Sequence, residues 1–333
     1  MLHSPSLRRC IGVLQIATLI RWCFPVAAQV SAHAVQQAPP AYTLESIVSE
    51  VGLTFHTVGR DGLTIDDLKS SEIEILDDGV QAKILSFYAQ QDRPIRAGII
   101  IDTSASMEGG LAGNRAIATQ FAQRILRPQG DEAFVEDFGY TAKIRQAWTG
   151  DTAQLTSAIW NGIKASENSS RGTSLFQTLF EACYSEMGKA DELNAKLIVL
   201  FTDGEDNASH TDLEEAVQMC QQSNAAIYAF QPAPGPGYSG GPRNLAELTR
   251  QTGGRLFQID SPEREIANDL DSVEKDVRNQ YFLSFRPLNL KHDGSFHRLE
   301  LKGPGRVDRF GVRSGYYDRK LTQAEVRPNG VMR

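Results

Sequence analysis

Residues 97–106 read Ala97-Gly98-Ile99-Ile100-Ile101-Asp102-Thr103-Ser104-Ala105-Ser106. An unbroken apolar run is what a strand covered on both faces requires. A loop of acid and hydroxyl side chains ends it. The arrangement recurs about a hundred residues later, where Lys196-Leu197-Ile198-Val199-Leu200-Phe201 runs into Thr202-Asp203-Gly204. Around these two runs, strand and helix patterns alternate. A helix is predicted through Arg115 to Leu126, then strands at Glu132–Phe138 and Thr141–Trp148, and helices over 152–163 and 174–187. A helix from Asp212 to Gln222, a strand at Ala225–Phe230, a helix near 243–252 and a strand at Arg255–Ile259 complete the series. Such alternation predicts an α/β fold over residues 95–261, a doubly wound, mostly parallel sheet with helices on both faces.

Outside that span the pattern changes. Residues 44–92 read as short strands: Val51–Val58, a turn at Arg60-Asp61-Gly62, a short turn or helix at Leu68–Ser71, then Glu72–Leu76 and Gln81–Tyr88 joined by a hairpin turn at Asp77-Asp78-Gly79. A charged helix is expected over 262–279. Strand character returns over 280–320, in Gln280–Phe285, Phe296–Lys302 and Val307–Tyr317, ahead of a tail at 321–333. Neither β segment has enough strands to enclose a core alone. The two are therefore expected to pair into one small accessory β domain, with the α/β domain inserted between them.

The beginning of the chain differs again. Arg8 and Arg9 precede an apolar run from Ile11 to Ile20, and Val26-Ala27-Ala28 offers small residues for cleavage. That order predicts a secretory signal peptide over 1–28 and export, to the periplasm or beyond, with an uncleaved anchor as the alternative. Residues 29–43, Ala/Pro-rich and without periodicity, suit a linker. The net charge of −7, with no basic stripe, argues against nucleic acid or an anionic membrane surface as partner. Removing the signal takes away Arg8, Arg9 and Arg21 and no acid.

Three elements fall at the carboxyl edge of the predicted sheet, where open α/β folds bind ligands: Asp102/Ser104/Ser106 after one buried strand, Thr173 at the opening of a helix, and Asp203 after the other buried strand. They offer two carboxylates and three hydroxyls, and no His or Cys. An all-oxygen set suits a hard cation, Mg²⁺ foremost and Ca²⁺ or Mn²⁺ otherwise, and disfavours zinc or copper. With only two carboxylates the ion would keep net positive charge and attract an acidic group from a partner. Each piece alone is an ordinary helix cap or turn; together, in this order, they make a metal site.

Asp102-x-Ser104-x-Ser106, Thr173 after a glycine, and Thr202-Asp203-Gly204 resemble the metal-ion-dependent adhesion site of von Willebrand factor type A domains. The resemblance covers about residues 95–260. It implies a doubly wound sheet with one antiparallel edge strand, direct coordination by Ser104, Ser106 and Thr173, and coordination by Asp102 and Asp203 directly or through water. It also implies a protein ligand whose acidic side chain completes the metal shell. The flanks Asp61-Gly62-Leu63, Asp77-Asp78-Gly79, Arg278-Asn279-Gln280-Tyr281 and Gly315-Tyr316-Tyr317 are similar to the Acidobacteria-type exported subgroup of such proteins.

Within that fold, right-handed crossovers put the helices of Cys183 and Cys220 side by side at similar depth. A disulfide between them is expected, with two separate buried thiols as the alternative. Two enzyme-like patterns carry less. Gly237-Tyr238-Ser239-Gly240-Gly241 lacks the preceding Asp and a partner His of a serine protease, and reads as a loop on the ligand-binding edge. Asp102-Thr103-Ser104 lacks the second acid of aspartyl-nucleophile phosphatases. Glu205, Asp206 and Asp212 read as negative potential or helix caps, and Asn168 and Asn207 open sequons expected to stay unmodified. The expected function is non-catalytic, metal-dependent protein binding of the adhesion type. A scaffold with a purely stabilising metal, and a metal-dependent hydrolase, stand behind it.

Overall fold

The computed structural model describes residues 50–165, 171–191, 193–232, 240–259 and 263–318. The expected signal peptide (1–28), linker (29–43), tail (321–333) and the Asn168 sequon lie outside them. In chain order the strands and α-helices are β1 (Val51–Gly59), β2 (Glu74–Asp77), β3 (Val80–Gln91), β4 (Ile95–Asp102), α1 (Leu111–Arg124), β5 (Glu132–Phe138), β6 (Ala142–Thr149), α2 (Thr152–Ser157) and α3 (Leu175–Glu181). They continue with β7 (Ala195–Phe201), α4 (Leu213–Gln222), β8 (Ala226–Gln231), α5 (Gly241–Thr252), β9 (Arg255–Gln258), α6 (Glu263–Arg278), β10 (Asn279–Arg286), β11 (Phe296–Lys302), β12 (Val307–Gly311) and β13 (Gly315–Tyr317). Helices α2 and α3 run on as single π-turns, Ala158–Gly162 and Ala182–Glu186.

Among the described residues these strands form two sheets. The first has the order β6-β5-β4-β7-β8-β9. Its contacts are parallel except for β6, which pairs antiparallel with β5 at the edge, as expected. The apolar runs of β4 and β7 are buried at every position but Arg96, because both faces are covered. Period-two alternation sorts them. Ile95, Ala97, Ile99 and Ile101 join α1, α2 and α6 in one core layer, while Ile100, Ile198 and Leu200 join α3, α4 and α5 in the other. The chain leaves β4 toward β5 on one side and reaches β7, β8 and β9 on the other. The switch point therefore lies between β4 and β7, and it opens a crevice at their carboxyl ends.

The second sheet is antiparallel, with the order β12-β1-β10-β3-β2-β11-β13. Front and rear segments interleave, and Leu53, Phe55, Ile75, Tyr281, Leu283, Phe285, Leu299 and Leu301 form its core. The stretch from Val307 to Tyr317, expected as one strand, is two. β12 pairs with β1 and β13 with β11, at opposite edges of the sheet. Only Val312–Ser314 separate them, a span of roughly 14 Å at most, so the sheet must curl until its edges nearly meet. Arg313 fixes the break: it donates to Gln221 O (3.1 Å) and Gly52 O (2.7 Å) and leaves the ladder. At the other short segment, a single 3₁₀ turn covers Ser70–Glu72.

Cys183 and Cys220 form a disulfide, with Cα atoms 5.0 Å apart. It ties the π-turn after α3 to α4. Among the described residues no helix is long and apolar enough to cross a membrane.

Candidate metal centre

Asp102 is the last residue of β4 and is fully buried. Its Oδ1 accepts from Ser104 N (2.8 Å), closing a turn that carries the hydroxyls of Ser104 and Ser106 to within 3.2 Å of each other. Its Oδ2 accepts from Thr202 Oγ1 (2.6 Å), which stands at the end of the neighbouring strand β7. Thr202 Oγ1 in turn accepts from Gly204 N (3.1 Å). The threonine is the hinge pin between the two acidic loops. Its side-chain role was not evident from a Thr-Asp-Gly turn.

Asp203 follows, buried, with Oδ1 accepting from Glu205 N (3.1 Å). Its Oδ2 is buried and has no hydrogen-bond partner among the described residues. An unsatisfied buried carboxylate oxygen is expensive. Desolvation pushes the Asp102 carboxyl up to about 6, and the charge of Asp203 adds to this, against hydrogen bonds from Thr202 and Ser104 that pull it down.

Thr173 comes from the loop before α3. Its amide donates to Asn207 Oδ1 (2.8 Å), and its carbonyl accepts from Asn207 N and Ala208 N (3.1 Å each). A side chain on Gly172 would meet Asn207 Oδ1 at 2.4 Å, so that clasp needs the glycine. Ser174 N donates to Gly139 O (2.8 Å), while Thr103 N donates to Phe138 O (2.7 Å). The loops of Thr173 and Asp102 thus hang on consecutive carbonyls at the end of β5. The five expected residues stand on three loops fastened to one another at the switch point. Asp102, Ser104, Thr173 and Asp203 are buried, and Ser106 opens to solvent.

Donor chemistry tests the fit of a cation. Two carboxylates, one with an unanswered oxygen, and three hydroxyls make an all-oxygen donor set that a hard divalent ion would satisfy. Such an ion, once held, supplies a Lewis-acidic position for an anionic group. The acids beyond the motif are structural. Asp206 accepts from Phe176 N (2.8 Å) in the first turn of α3, Asp212 caps α4 with Glu215 in a reciprocal box, and Glu205 accepts from Gly240 N and Gly241 N at the start of α5. Gly240-Gly241, read from sequence as loop, opens that helix; residues 237–239 lie outside the described set.

Beside Thr103 lies a cleft of about 590 Å³ between the β5–β6 turn and the segment after α2. Lys143, Lys164 and Arg171 line it, with Arg145 paired to Asp137 (2.5 Å) and Arg171 over the ring of half-exposed Tyr140. The rim next to the acid-and-hydroxyl pocket is basic.

A family model described as von Willebrand factor type A domain matches residues 98–270. The chain belongs to that family. Comparison with curated proteins gave no match. Among solved structures, the domain is similar to the conserved hypothetical protein BatB of Bacteroides thetaiotaomicron, 16% identical with a TM-score of 0.45, covering 54% of this chain and 98% of that one. It is similar to a von Willebrand factor type A protein of Catenulispora acidiphila, 15% identical with a TM-score of 0.43, covering 79% and 78%. It is also similar to proximal thread matrix protein 1 from the mussel byssus, described with a zinc-occupied metal-ion-dependent adhesion motif, at 16% identity and a TM-score of 0.45, covering 60% and 49%.

Proposed function

We propose that this protein is an exported, non-catalytic recognition module of the Acidobacteria-type subgroup. In this reading Asp102, Ser104, Ser106, Thr173 and Asp203 hold Mg²⁺, and an acidic side chain of a protein partner completes the ion's shell. The observation that carries it is the buried, unpaired Oδ2 of Asp203 beside the desolvated Asp102 carboxyl. Such a pair is costly unless a cation joins it. Solvent reaches the pocket at Ser106, so an ion bound there has an outward side. The basic rim of Lys143, Lys164 and Arg171 gives an acidic ligand a second reason to land at this edge. Two carboxylates only balance the dication, short of the net positive charge the residue types suggested, and hydroxyls in place of further carboxylates leave a coordination position that an acidic ligand can take. The Cys183–Cys220 disulfide suits an oxidising compartment and so supports export.

The test is Mg²⁺ binding by calorimetry to the wild type and to Asp102→Ala and Thr173→Ala, each checked for fold by circular dichroism. Capture of proteins from an envelope fraction then follows, in Mg²⁺ and in EDTA. Binding and capture are expected to be lost together in both variants. Capture that survives EDTA and both substitutions would leave the ion only a stabilising part and end the adhesion reading. Peptidase or phosphatase turnover that disappears in the same variants would replace it with a hydrolase.

A further inference from the structure

The curled accessory sheet carries a second group of metal-ligand side chains, of different chemistry. At the β2–β3 hairpin the chain turns through Asp78 and Gly79, both at positive φ, so that Asp77 pairs with Val80. Neighbouring strand β11 alternates exposed and buried, and His297 faces inward with Leu299 and Leu301. Three ligand groups converge there: Asp77, Asp78 and His297 each offer one atom, and these atoms lie within 4.8 Å of one another. His297 Nδ1 is 3.0 Å from Asp78 Oδ2 and 3.6 Å from Asp77 Oδ1.

The other oxygen of each carboxylate is already used. Asp77 Oδ2 accepts from Tyr316 Oη (3.1 Å), and Asp78 Oδ1 accepts from Arg298 N (2.9 Å). The Tyr316 ring stacks on His297 with centroids 5.0 Å apart and fixes the imidazole plane. The atoms left over are the three that converge and the buried Nε2 of His297. His297 is 4% exposed and Asp77 5%, and among the described residues neither His297 nitrogen nor Asp77 Oδ1 makes a hydrogen bond. The 3.0 Å approach of His297 Nδ1 to Asp78 Oδ2 lacks hydrogen-bond alignment. Two ligands about 2.1 Å from a tetrahedral ion stand roughly 3.4 Å apart, and the distances of 3.0 and 3.6 Å bracket that value.

We infer that Asp77, Asp78 and His297 form a second metal site, selective for a transition-metal dication of the Zn²⁺ class. One imidazole and two carboxylates is a borderline donor set, softer than the all-oxygen pocket at the ends of β4 and β7. Half-exposed Asp78 leaves an entry path and an open fourth position. Asp77 and Asp78 lie ahead of the von Willebrand factor A domain and His297 behind it. An ion there clips the front and rear β segments together, and the inference does not rest on the adhesion reading.

The experiment uses the full chain with Asp102→Ala, or Ser104→Ala as a second background, to silence the first pocket. Zn²⁺ titrated calorimetrically is expected to bind with one-to-one stoichiometry and to raise Tm. His297→Gln, and Asp78→Asn, which keeps the turn and an acceptor for Arg298, are each expected to weaken Zn²⁺ binding at least tenfold. Zinc absorption spectra are expected to show one imidazole in an otherwise oxygen shell. No Zn²⁺ binding in either background, undiminished binding in Asp78→Asn, or a shell without nitrogen each overturns the site.

Discussion

Asp102 and Glu136 both have carboxyls pushed upward by burial, and their surroundings separate their roles. Asp102 sits among hydroxyls at a solvent-reachable edge, where a cation can answer its charge. Glu136 lies in the middle of β5, buried, with Oε2 unpartnered among the described residues. Burial first, then the charges of Glu181, Glu186 and Asp137, push its carboxyl up to about 8, against an ordinary 4.5. Glu136 therefore holds a proton in the folded chain that the unfolded chain has released, between pH 4.5 and about 8. Stability falls as pH rises through that window, and the whole penalty is present above it. Glu136→Gln removes the titration. Urea unfolding is expected to show a gain of roughly 2–3 kcal/mol for the variant at pH 7, none near pH 4.5, and a flatter pH profile between. An equal gain at both pH values would place the benefit in packing and not in charge.

Loops at the carboxyl edge are held by backbone contacts that leave no room for side chains. A Cβ on Gly241, at the start of α5, would lie 2.1 Å from Asp203 O, and one on Gly204, at φ +83°, would lie 2.3 Å from Gly241 O. The helix start thus sets the height of the Asp203 loop, and Glu205 and Asn244 Nδ2, which donates to Gly204 O (3.0 Å), tighten it. Gly241→Ala is expected to displace Asp203, lower stability by about 2 kcal/mol or more, and weaken Mg²⁺ binding at least tenfold by calorimetry. Unchanged affinity would mean that Asp203 is not held by this contact.

The same elements mark what sequence could and could not disclose. The apolar runs of β4 and β7 announce buried parallel strands, and Asp102, Ser104, Ser106, Thr173 and Asp203 are recognisable by type and order. The Asn207 clasp on Thr173, the seat of Gly241 against Asp203 and the convergence of Asp77 with His297 depend on chain crossings far apart in sequence. No local pattern encodes them. The break of 307–317 into two strands was hidden for another reason. Val307, Phe310, Val312, Tyr316 and Tyr317 outweigh the turn residues Gly311 and Ser314-Gly315 inside the run, and the docking of Arg313 onto Gln221 and Gly52 accompanies the end of the ladder.

At the scale of the molecule, two long-range ties matter, one within the α/β domain and one between the two sheets. The disulfide spans 37 residues, so replacing both cysteines by serine is expected to cost roughly 3–4 kcal/mol in chemical denaturation. The other tie is ionic. Arg278 closes α6 directly before β10 and is 5% exposed; Asp131 precedes β5 and is 2% exposed. Their carboxylate–guanidinium pair also accepts from Ile95 N (2.7 Å) and Arg127 N (2.8 Å) and donates to Arg93 O (3.1 Å) and Ile125 O (3.0 Å). Arg93 and Ile95 belong to the chain entering the α/β sheet, Ile125 and Arg127 to the segment between α1 and β5, and Arg278 itself to the helix leaving for the β sheet, so the pair couples the two sheets. Arg278→Ala leaves Asp131 buried and unanswered, and is expected to cost about 3–5 kcal/mol. If the pair carries the coupling, calorimetry of the variant should resolve separate transitions for the two sheets where the wild type shows one. Asp131→Ala with Arg278→Ala should cost less than the two single changes added together. A single transition and strict additivity would assign the coupling to the apolar contacts between the sheets instead.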